Sequence, residues 1–96
     1  VLAAGDVARD KVERPAWVRG IDHRIEPIHL GLRDLTVSES TRLAGEKAGV
    51  HDGKVDVAEL HAPFSHQELI LREALGLGDE VDVNLSGGAL AANPMM

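Results

Sequence analysis

Val81-Asp82-Val83-Asn84-Leu85-Ser86-Gly87-Gly88-Ala89-Leu90-Ala91-Ala92-Asn93-Pro94-Met95-Met96 decides how this chain is read. Val81, Val83 and Leu85 alternate with polar residues, the pattern of a half-buried strand. Ser86-Gly87-Gly88 then allows a sharp turn or a close approach of backbone to a ligand. A strand feeding such a loop normally leads into a further element that packs on it. The expectation is a single partial domain over residues 1–96, cut from a larger protein just after the glycine loop.

Working back from there, Val55 to Leu60 reads as a strand with apolar residues on both faces, as in a sheet covered on both sides. His61-Ala62 leads into a helix whose first turn accepts Pro63. Phe64, Leu71 and Leu75 fall near one stripe of it, and Gly76 ends it. Upstream, Thr36-Val37-Ser38-Glu39 has the spacing of a capping box. Val37, Thr41, Ala44 and Ala48 share a helical face, and Gly49 is a natural stop. Gly45 weakens that helix by about 1 kcal/mol relative to Ala unless close packing needs it. Asp22 to Leu35 reads as a long loop, and Ala16 to Ile21 as a strand with Trp17 and Ile21 on one face. Asp6 caps a short helix from Val7 to Val12 that Pro15 cannot extend. Val1 to Ala4 reads as the end of a buried strand. This order of elements predicts an α/β fold, a mixed β-sheet flanked by helices.

Composition narrows the function classes. One Trp, one Phe and no Tyr leave a core of Val, Leu, Ile and Ala. The net charge of −6 and the scarcity of stacking aromatics argue against nucleic acid as a partner. No apolar run approaches the roughly 20 residues of a membrane span. There is no cysteine, hence no disulfide, no thiolate metal site and no cysteine nucleophile within these residues. This usage fits a cytoplasmic protein. His23, His29, His51, His61 and His66 lack metal-ligand spacing, so no metal is expected. His61, between strand and helix, stands where α/β folds often line ligand sites. A cap or a bond to a nearby carbonyl is the simpler role for it. Glu59 and Glu68 suit acid–base work or, more commonly, solvated and capping roles.

Two segments together carry a family resemblance. Asp56-Val57-Ala58-Glu59-Leu60-His61-Ala62-Pro63-Phe64 resembles the thiolase segment that reads Asp, two apolar residues, Glu, an apolar residue and Asn-Glu-Ala-Phe. In sterol-carrier-type thiolases a His stands at the Asn position, as His61 does here. Asn84 to Pro94 resembles the thiolase glycine loop that ends in Gly-His-Pro. Val1 to Ala8 is similar to the strand-to-helix segment closing the first thiolase half. Asp34-Leu35-Thr36 and the helix to Val50 are similar to the sterol-carrier, lipid-transfer branch.

The resemblance implies a thiolase-like layered fold, of which this chain would form the start and middle of the C-terminal half. It implies Claisen condensation, or thiolysis of a 3-ketoacyl-CoA, with a coenzyme A thioester as substrate and no bound cofactor. It also implies a homo-oligomer, with an accessory protein subunit in some branches. His61 would hold an oxyanion-hole water, and Asn93 would occupy the position of the activating His. Phe64, Gly87 and Gly88 would bind substrate. The nucleophilic cysteine is expected before Val1 and a second, acid–base cysteine after Met96. Asn93 is a departure, because an amide cannot take a proton from a thiol at neutral pH. Two further readings stay open: a thiolase-like retro-aldolase acting on acyl-CoA side chains, and a non-catalytic acyl-CoA or lipid binder.

Overall fold

The computed structural model describes residues 1–92. Its elements are α1 (Gly5–Lys11), a 3-10 turn (Leu30–Leu32), α2 (Glu39–Ala48), β1 (Val57–Ala58), α3 (Ser65–Ala74), β2 (Asp82–Val83) and α4 (Gly88–Ala92). β1 and β2 pair in parallel, Val57 opposite Asp82 and Ala58 opposite Val83. The Asp82 N–H donates to the Asp56 carbonyl at 3.1 Å, and the Asn84 N–H to the Ala58 carbonyl at 2.8 Å. A parallel pair needs a crossover, and α3 supplies it. The result is a small β1-α3-β2 unit against which α2 packs through α3.

Both longer helices stop where glycine permits a left-handed residue. Gly49 has φ 80° and Gly76 φ 61°. The Val50 N–H reaches the Gly45 carbonyl and the Gly49 N–H the Glu46 carbonyl. Leu77 and Gly76 bond Arg72 and Glu73 in the same way. Each is a Schellman closure, which satisfies carbonyls left over at a helix end. Gly45 is buried, and a Cβ placed there would stand 2.5 Å from Leu75 Cδ2. Close packing of α2 on the end of α3 therefore explains a glycine inside a helix.

Several expected features are corrected. The capping box does not form. The Thr36 N–H and Oγ1 both donate to Asp34 Oδ1, at 2.9 and 2.7 Å. This local turn takes up the hydroxyl that would have capped the helix. Ser38 occupies the N-cap position, and the Ser40 N–H is met by Glu26 Oε1 at 2.8 Å from 14 residues upstream. That bond, above all, holds the Glu26 carboxyl below its ordinary range. Of the expected face, Thr41, Ala44 and Ala48 are half-buried, whereas Val37 precedes the helix and is exposed. Ala16–Ile21 forms no strand, because no described segment pairs with it. Trp17 instead lies under the Arg9 guanidinium, 5.0 Å from the ring centroid. Val1 to Ala4 is exposed rather than a buried strand end. The first helix begins at Gly5, with Asp6 in its first turn and no side-chain cap. The strand expected over Val55–Leu60 contracts to two residues. The alternation expected through Leu85 stops at Asn84, whose φ of 56° turns the chain. Val81 is therefore buried and Val83 half-buried, while Leu85 faces solvent. α3 begins at Ser65, two residues after Pro63.

The core is small. Ala62 and Val81 are the buried apolar residues among those described. The accessible surface is 7836 Å², against about 5,350 Å² for a compact monomer of this mass. The radius of gyration is 15.8 Å, against about 12.5 Å for a compact domain of this length. Val18, Ile21, Ile25 and Ile28 lie along an exposed apolar segment that accounts for part of the excess.

Candidate functional site

The exits of β1 and β2 are laced together by side chains. The Leu60 N–H donates to Asn84 Oδ1 at 2.7 Å, and Asn84 Nδ2 donates to Glu68 Oε2 at 2.9 Å. One amide thus joins both strand ends to α3. Beside it, Glu59 accepts the Ser86 N–H at 2.9 Å and the Ser86 Oγ–H at 2.6 Å. The Gly88 N–H reaches Ser86 Oγ at 3.2 Å. The Ser86 hydroxyl, then its amide, hold the Glu59 carboxyl below its ordinary range. These bonds bring the segment before His61 alongside the turn that carries Gly87 and Gly88.

His61 itself is exposed and follows directly on the clasped Leu60. With Arg33, Asp34, His66, Gln67 and Leu71 it lines a cleft of about 360 Å³ between the loop before α2 and the start of α3. Phe64 is exposed at the start of α3, and its ring stacks on His66 with centroids 6.0 Å apart. Its N–H donates to Gln67 Oε1 at 3.2 Å, and the Gln67 N–H returns to the Phe64 carbonyl at 2.9 Å. Phe64 is therefore a surface residue rather than the core contact that the helical stripe predicted. Leu71 and Leu75 of that stripe are half-buried.

Gly87 and Gly88 have φ values of 93° and 60°. The Gly87 N–H closes the turn onto the Asn84 carbonyl at 2.8 Å. With the Gly88 N–H on Ser86, both glycine amides are engaged within the loop. The substrate-binding role that the resemblance implies for them would require these bonds to be exchanged if it ran through their amides. Asn93 lies outside the described residues. No group of three or more His, Asp or Glu converges as a metal site among the described residues. No helix among them is long and apolar enough to cross a membrane.

Over 54 residues, the sequence is 44% identical to a 3-ketoacyl-CoA thiolase of Aeromonas hydrophila subsp. hydrophila. The match covers 54% of this chain and 14% of that relative, so the chain spans a small part of the relative's length. This partial match is a similarity to one thiolase over about half of the chain. No protein-family profile matches the chain, and no solved structure matches it.

Sequence reasoning missed Asn84 and Arg33 as individual residues. Asn84 was visible only as the start of the glycine loop. Its position after a strand, before a turn that ends in two glycines, is the local signal for a left-handed asparagine. Arg33 had no such signal, because its place in the cleft depends on how the loop before α2 meets α3.

Proposed function

We propose that this chain contributes to a thiolase-like acyltransferase acting on a coenzyme A thioester, by Claisen condensation or thiolysis of a 3-ketoacyl-CoA. The partial identity with a 3-ketoacyl-CoA thiolase carries this reading. The tie between the His61 segment and the glycine turn is consistent with it. In this reading His61 donates an N–H to a water or to the thioester oxygen as negative charge develops there. Such a donor, aimed at the developing charge, contributes about 10²–10³ in rate. Phe64 and the glycine turn flank the acyl and pantetheine portions. The nucleophilic thiol must come from outside these 96 residues, which contain no cysteine.

Asn93 favours a second reading. With an amide where thiolases carry the activating His, retro-aldol cleavage of a β-hydroxyacyl-CoA side chain is the alternative, as in some members of the sterol-carrier branch. Both readings are tested by assaying thiolysis of 3-ketoacyl-CoA beside aldol cleavage of β-hydroxyacyl-CoA in the protein that carries this chain. His61→Ala is expected to lower kcat/KM at least about 100-fold for whichever reaction is native. Undiminished turnover in that variant, with CoA-ester binding unchanged, would remove His61 from the chemistry. Thiolysis by the parent protein at about 1–1000 per second would remove the aldolase reading.

A further inference from the structure

Arg33 lines the cleft beside His61, and the acyl-transfer reading gives it no role. Its Nε–H is buried and has no acceptor among the described residues. A buried charged donor without a partner is costly and rare in native proteins. Two carboxylates beside it, Asp34 next in the chain and Glu26, whose ionised form the Arg33 charge favours, are hydrogen-bonded elsewhere. Asp34 Oδ1 accepts two bonds from Thr36, and Glu26 Oε1 accepts the Ser40 N–H. Arg33 makes no ion pair among the described residues. The same cleft presents His61 and His66, each with ring nitrogens able to donate, and the Gln67 amide. Its remaining wall includes Leu35, Val37, Ile70 and Leu71. An apolar wall with a few converging donors is the usual form of a small-molecule site.

We propose that this cleft binds an oxyanion, a carboxylate or phosphate group of a small molecule, with Arg33 as the principal donor and His61 and His66 beside it. A guanidinium offers two parallel N–H groups that match the oxygens of either anion. Asp34 limits the site to a single anionic group, because its own charge opposes a second. The inference shares His61 with the acyl-transfer reading but does not need a thioester.

The test titrates the protein with inorganic phosphate and, separately, with acetate. Binding is followed by calorimetry and by the Arg33 Nε–H resonance. One or both anions are expected to move that resonance, and Arg33→Met to weaken binding at least about tenfold. Arg33→Lys keeps the charge without the fork and is expected to fall between the two. Tighter phosphate binding assigns the site to a phosphate such as those of coenzyme A; tighter acetate binding assigns it to a carboxylate on the substrate. An unmoved Arg33 resonance with both anions overturns the proposal. So does binding of equal strength in Arg33→Met. Neither measurement involves turnover, so failure of the acyltransferase assay leaves this result standing, and the converse.

Discussion

Asn84 Oδ1 accepts the Leu60 backbone N–H at 2.7 Å, and this bond ties the exit of β1 to the exit of β2 across 24 residues. The amide's other end holds Glu68 on α3. Asn84→Ala removes both bonds and leaves a side chain other than Asn or Gly at φ 56°. The expected loss is about 1–3 kcal/mol, read from the midpoint of urea unfolding. Asn84→Asp keeps the acceptor for Leu60 but replaces the donor with an acidic group facing Glu68. It should be no better than Asn84→Ala at neutral pH.

The clasp between Glu59 and Ser86 makes part of the stability depend on pH. The Glu59 carboxyl lies below its ordinary range in the folded chain, because the Ser86 hydroxyl and amide bond its ionised form. A lowered folded value means the contribution is present above the unfolded value, about 4.3. It is lost as pH falls through the lower folded value. Unfolding midpoints measured between pH 7 and pH 3 should decline at the acid end. Ser86→Ala should flatten part of that decline. An unchanged acid slope in Ser86→Ala would show that the clasp does not contribute.

Gly45→Ala sets helix propensity against packing. Alanine favours the helix by about 1 kcal/mol. Its methyl would enter the space of Leu75 Cδ2, and overpacking costs about 1–3 kcal/mol. The net expectation is a loss of stability. Adding Leu75→Ala to Gly45→Ala should cost less than Leu75→Ala costs alone. A double-mutant cycle on the unfolding midpoints measures that coupling.

The excess surface predicts association. The 96-residue chain exposes about 2,500 Å² more than a compact monomer of its mass. Val18, Ile21, Ile25 and Ile28 concentrate apolar groups within a single segment. Exposed apolar side chains gathered in this way favour association. Light scattering on the purified chain should show species larger than a monomer, shifting with concentration. A clean monomer at high concentration would contradict this.

The helices were legible where their signals are local. Gly49 and Gly76 mark helix ends because glycine alone takes the left-handed turn cheaply. The face formed by Thr41, Ala44 and Ala48 follows from helical period. The Thr36 capping box misled because Asp34, two residues earlier, competes for the same hydroxyl. Ala16–Ile21 misled because a strand exists only with a partner, which side-chain alternation cannot supply. The candidate site was legible at His61 and at the glycine pair. What joins them was not: Glu59 meets Ser86 across 27 residues, and Asn84 meets Leu60 across 24. Such pairings depend on how the chain returns on itself.

The parallel pairing of β1 with β2 has a consequence for the order of assembly. Val57 and Asp82 are 25 residues apart, so their ladder closes a long loop. An unstructured loop of that length loses about 3 kcal/mol of entropy on closing. A preformed α3 shortens the flexible span, and the Asn84 and Glu59 bonds reward the same closure. Helix α3 should therefore form ahead of the ladder, with the clasp locking last. From Glu13 to Ile28, by contrast, no backbone amide bonds a backbone carbonyl among the described residues. In amide exchange, the amides of Asp82 and Asn84 should report opening of the whole β1-α3-β2 unit. Those of Trp17 to Ile25 should exchange at nearly the rate of a free peptide.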